Sequence, residues 1–210
     1  MSKRNSNEES LLDIIDTSES FITKPLGNLY TVYLSGMIEE PKCYTKVFEM
    51  IRNAEDHDII KLHINSEGGH LFTAIQFIRA MTESRATIVA SAEGMCMSAA
   101  TMIFLSADNF EISEHCMFMF HNYSGGTFGK GGEMYDQLIK ERKWSEKIIN
   151  KIYNGFLTDE EIKSIMNNRD IWMEGDEVKV RLEKLLNKEN GIPEPIKKPR
   201  AKAAAKKVAS

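Results

Sequence analysis

The sequence predicts an α/β fold, and three observations carry that reading. Short runs rich in β-branched and aromatic residues recur at 29–34, 58–64, 86–92 and 116–120. Between them lie longer stretches whose apolar residues repeat at helical spacing. The two kinds of segment alternate, which implies parallel strands joined by crossover connections, and 210 residues at 42% hydrophobic content suffice for one core.

The elements follow in order. Residues 29–34 (LYTVYL) read as a strand ended by Ser35-Gly36. Pro41 opens a helix whose Tyr44, Val47, Phe48, Ile51 and Ala54 share one face, as a helix packed on a sheet requires. A second strand at 58–64 runs into Ser66-Glu67-Gly68-Gly69, and a helix follows with Leu71, Ala74, Ile75 and Ile78 as its expected buried face. Residues 86–92 (ATIVASA) form a third strand, which Glu93-Gly94 interrupts before a helix-compatible segment at 97–105. Residues 116–120 (CMFMF) give a fourth, followed by the Gly-rich loop 124–132. A long charged helix spans 133–154, with Met134, Leu138, Ile148, Ile149 and Ile152 as apolar points and Trp144 between them; such a helix is expected to be partly exposed in a monomer. Thr158-Asp159-Glu160-Glu161 matches a capping box for a short helix reaching Asn167, and 174–186 form a final amphipathic helix.

These elements define a domain at 25–190. Residues 1–24 are polar and rich in Ser and Glu, and read as a flexible segment; 191–210 read as a disordered basic Ala/Lys tail. The tail holds six basic residues against Glu194, a balance of +5 that leaves −9 on the rest of a chain whose net charge is −4. It is expected to be a solvated extension, with contact to an acidic partner, nucleic acid included, as the alternative. The body is too acidic for a nucleic-acid binder.

Cys43, Cys96 and Cys116 show no C-x-x-C spacing, so neither a zinc site nor a disulfide framework is expected, and a cytoplasmic setting fits. The first residues offer no apolar stretch of the secretory kind. Residues 86–107 are long enough to raise a membrane span, but Glu93, Gly94 and many small residues argue against it. The glycines at 125–132 do not form a phosphate loop, because the residue after Lys130 is Gly and the spacing differs from G-x-x-x-x-G-K-[ST].

Chemistry centres on Gly94-Met95-Cys96-Met97-Ser98-Ala99-Ala100. A serine on the first turn of a helix that follows a strand presents its hydroxyl beside unpaired backbone N–H groups, which suits a nucleophile with an oxyanion site. His121 follows a strand and is placed for proton transfer; Asp170 follows a polar helix end and can orient an imidazole.

Ile64-Asn65-Ser66-Glu67-Gly68-Gly69, the Gly-x-x-x-Ser setting of Ser98, His121 after its strand and Arg169-Asp170, in that order, resemble the ClpP family, the proteolytic subunits of Clp proteases. The resemblance spans roughly 29–184. It implies the ClpP/crotonase-like superhelix of repeated ββα units with a protruding strand-helix handle, in which the Gly-rich region continues as a strand beside the groove. It implies a serine endopeptidase acting on unfolded or short polypeptides, with Ser98, His121 and Asp170 as its triad, Gly69 and Ala99 as oxyanion donors, and no cofactor or metal. It further implies a homo-oligomer of stacked rings enclosing the sites, and leaves open an ATP-dependent unfoldase as partner. Three other readings stand beside it: a catalytically silent assembly subunit, a shell-protein maturation protease, and a crotonase-type acyl-CoA enzyme.

Overall fold

The computed structural model describes residues 27–189; the expected flexible segment 1–24 and basic tail 191–210 lie outside the described residues. Six strands form one sheet: β1 (Leu29–Ile38), β2 (Ile59–Gly69), β3 (Thr87–Met97), β4 (Asn109–Ile112), β5 (Met117–Phe120) and β6 (Ile171–Glu174). Their order is β1-β2-β3-β5-β6, with β4 also on β3; all neighbours are parallel except β5 and β6. The helices are α1 (Thr45–Asn53), α2 (Leu71–Glu83), α3 (Ala99–Phe104), α4 (Gly131–Tyr153), α5 (Asp159–Met166) and α6 (Gly175–Glu189), with a 3₁₀ turn at Pro41–Tyr44 before α1. The parallel crossovers inferred from alternation are present.

The core lies on one face of the sheet. Ile60, Leu62, Ile64, Ala90, Ala92, Phe118 and Phe120 point into it, as their alternation requires, and α1, α2 and α3 close over them. Phe48 of the predicted α1 face packs edge-on against Phe77 of α2, at 4.8 Å between ring centroids. On α2 the expected face is turned: Thr73, Ala74, Phe77, Ala80 and Met81 are buried, while Leu71, Ile75 and Ile78 are only partly covered. The large Phe77 ring sets the rotation, because it fills the space between α1 and the sheet.

Three strands run further than the sequence predicts, and side chains explain each extension. β1 continues past Ser35-Gly36 through a register shift in which Gly36 takes φ +74° and its carbonyl accepts from Ser66 Oγ at 2.6 Å. β2 continues through the glycine pair to Gly69, paired with Ile38. β3 continues through Glu93-Gly94 because it changes partner there, leaving β4 after Ala92 and taking β5 from Met95. Asn65 Oδ1 accepts the Met95 N–H at 2.9 Å in the irregular stretch, and a Cβ on Gly94 would stand 2.8 Å from that oxygen. The helix therefore starts at Ala99, not at 97. β4 and β6 were not expected; each is a four-residue strand, too short for a visible period.

The capping box forms as predicted, with Thr158 Oγ1 accepting the Glu161 N–H and Glu161 accepting the Thr158 N–H at 2.8 Å. α4 forms as the long helix, but residues 121–130 carry no strand, and among the described residues no strand pairs with them.

Candidate active site

Ser98 sits where β3 hands over to α3, and its backbone is strained. Its φ of 54° and ψ of −126° lie where a residue bearing a Cβ is rarely held, a feature of sharp strand-to-helix turns that carry nucleophiles. Three contacts hold it there. The Ser98 N–H donates to the Met119 carbonyl of β5 at 2.8 Å, and the Ser98 carbonyl accepts from the N–H and hydroxyl of Thr101 at 3.0 and 2.7 Å.

His121 is the residue immediately after β5. Because β5 lies directly beside the end of β3, its imidazole reaches Ser98, and Nε2 stands 2.5 Å from Ser98 Oγ. The contact puts a hydroxyl and an imidazole within hydrogen-bond reach, the arrangement a nucleophile and its base require. Both side chains are half-buried at the edge of a cleft.

Asp170 precedes β6, whose Ile171 pairs with Phe120 in the antiparallel ladder. The ladder ends at that pair, and Asp170 and His121 are the residues that flank its end. Asp170 is exposed and makes no hydrogen bond among the described residues; two residues before it, Asn168 Oδ1 accepts from Asn122 Nδ2 at 3.3 Å, with Asn168 at φ +59°.

Gly69 and Ala99 both line the cleft. Ala99 is the first residue of α3, so its N–H has no intrahelical acceptor. Gly69 adopts φ +142°, and a Cβ there would stand 2.4 Å from the Ile38 carbonyl oxygen. Gly68 is the other half of the glycine pair. A Cβ on it would lie 2.6 Å from Ser98 Cβ and from the Met97 oxygen, so the turn packs directly on Ser98. The Gly68 N–H donates to Ser66 Oγ at 3.0 Å, and the N–H of His70 to Ile38 O at 2.8 Å, which fixes the loop on both sides of Gly69. Glu67 is exposed.

The cleft measures about 520 Å³. Met102, Ile148, Ile149, Trp144 and Phe72 give it an apolar wall, and Lys140 and Glu141 stand among its lining. Phe72 of α2 stacks on Trp144 of α4 at 5.3 Å and 30°, linking the long helix to the body across the cleft. Sequence flagged Trp144 only as a helix residue, and a contact between side chains 72 positions apart leaves no local signal.

The thiols are chemically quiet. Burial pushes both Cys96 and Cys116 up, which keeps them protonated. Among the described residues, no group of three or more His, Cys, Asp or Glu is placed to hold a metal ion, and no helix is long and apolar enough to cross a membrane.

A family model described as Clp protease matches residues 18–181, and the chain belongs to that family. Among solved structures, a point mutant of ClpP1 from Listeria monocytogenes superposes with a TM-score of 0.59 at 21% identity, covering 82% of this chain and 91% of that one. That likeness shows a shared fold, the ClpP fold expected from the motifs. No curated protein sequence matches.

Proposed function

We propose that the chain is a serine endopeptidase that hydrolyses peptide bonds through an acyl-enzyme. The single observation that carries this reading is the 2.5 Å contact between His121 Nε2 and the hydroxyl of a strained Ser98 at the edge of an apolar cleft. Ser98 Oγ attacks the scissile carbonyl carbon while His121 takes its proton. The tetrahedral oxyanion is held by the N–H groups of Gly69 and Ala99; losing one such donor typically costs about 3 to 4 kcal/mol of barrier. The C–N bond breaks, His121 gives its proton to the leaving amine, and water attacks the ester by the same route in reverse. Asp170 takes the third role, holding the imidazole tautomer, and the position of both residues at the end of the β5–β6 ladder supports this. Membership of the Clp protease family supports an oligomeric chamber around the site, with unfolded or short polypeptides as substrates.

The apolar wall beside Ser98 favours an apolar side chain on the residue that donates the scissile carbonyl. Fluorogenic peptides varied at that position test the reading: an aromatic or long aliphatic residue is cleaved fastest and Ser98→Ala cleaves none, whereas hydrolysis that survives Ser98→Ala overturns it. One observation favours a second reading, a silent assembly subunit: Asp170 is exposed and has no hydrogen bond to His121. On that reading no peptide of the series is cleaved.

A further inference from the structure

A buried polar chain links the catalytic serine to the end of α4. Thr101 and Tyr153 are both fully buried, and their hydroxyls lie 2.7 Å apart. Since Thr101 Oγ1 donates its one proton to the Ser98 carbonyl at 2.7 Å, the Tyr153 hydroxyl must be the donor to Thr101. The order is Tyr153 to Thr101 to Ser98. Burial pushes the Tyr153 phenol up, so it remains a neutral donor throughout the working pH range.

The same tyrosine touches the other half of the pair. Its ring meets Phe120 edge-on, at 5.4 Å and 87°, and Phe120 directly precedes His121. One side chain thus bears on the turn that carries the nucleophile and on the strand end that carries the base. The turn needs such support, because a residue held at φ 54° relaxes unless its surroundings over-determine it. Two buried hydroxyls in an apolar core are costly unless they are hydrogen-bonded, and here both are.

We propose that Tyr153, acting through Thr101, is a positioning residue that sets the geometry of Ser98 relative to His121. This rests on the peptidase reading.

The test follows the inactivation of the full-length protein by a fluorophosphonate, resolved into a binding constant and a maximal rate. In Tyr153→Phe and Thr101→Val the maximal rate falls about tenfold while the binding constant holds, the fold-change expected for losing one buried hydrogen bond. Thr101→Ser, which keeps the hydroxyl, restores the rate lost in Thr101→Val. The double variant is no slower than either single one, because the two groups act as one unit. Wild-type rates in Tyr153→Phe and Thr101→Val overturn the proposal, as does a fall in thermal stability with the rate of the folded fraction unchanged. If the wild type itself does not react, the peptidase reading fails separately, and crystal structures decide the positioning role. A Ser98–His121 separation that widens in Tyr153→Phe upholds it, and an unchanged separation overturns it.

Discussion

At the scale of single residues, the account rests on side chains whose removal has distinct signatures. Ser98→Ala or His121→Ala lowers kcat by roughly 10⁶-fold if the pair works as a unit, read from peptide hydrolysis. Asp170→Asn lowers kcat by about 10³-fold or more through the wrong imidazole tautomer. A fall of less than tenfold removes Asp170 from the catalytic group. Glu161 gives a test independent of activity. Arg181 donates two hydrogen bonds of 2.7 Å to its carboxylate, and with the Thr158 N–H they hold the group down to about 2 from an ordinary 4.5. The folded value lies below the unfolded one, so the pair stabilises the native state fully above the unfolded value and loses this contribution as pH falls through about 2. Glu161→Gln keeps an acceptor for the cap but not the charge. Its denaturation midpoint falls below that of the wild type at neutral pH and converges on it towards the acid limit; a gap independent of pH contradicts the assignment.

At the scale of elements, the turn joining β2 to α2 and the pair α2 and α4 shape the cleft. Gly68→Ala places a Cβ 2.6 Å from that of Ser98 at φ +96°, strain of about 1 to 3 kcal/mol before any steric clash. The melting temperature drops and fluorophosphonate reactivity is lost; a variant with both intact contradicts the close packing. Trp144→Ala removes the stack on Phe72, and the preference for aromatic over small side chains in peptide substrates narrows by about tenfold, the scale of discrimination an apolar pocket achieves. How far the elements were legible depended on where their information sits. Ser98, His121 and Asp170 drew attention because each stands at a change of hydrophobic pattern and their order resembles the family's, and the capping box could be found because both partners lie within one turn. The continuation of β2 and β3 through their glycines was hidden, since it depends on Asn65 and Ser66 bonding to a neighbouring strand. The role of Tyr153 was hidden for the same reason, with its hydrogen-bond partner 52 residues away.

At the scale of the molecule, the second face of the sheet carries apolar side chains that the described residues leave exposed. Tyr33, Met37, Met95, Met117 and Trp172 remain exposed on strand positions that alternate with the core, and Tyr33 is 67% accessible. Apolar surface of this extent is rarely left in water, and it fits the assembly expected of the Clp protease family. Native mass measurement should find multimers at working concentration, and a strictly monomeric species contradicts the chamber. Whether Ser98 is an activated nucleophile is read from covalent labelling. Purified protein treated with a fluorophosphonate and weighed intact gains one adduct per chain, and Ser98→Ala gains none. An assembled wild-type protein that stays unmodified, or an adduct that persists in Ser98→Ala, contradicts the account.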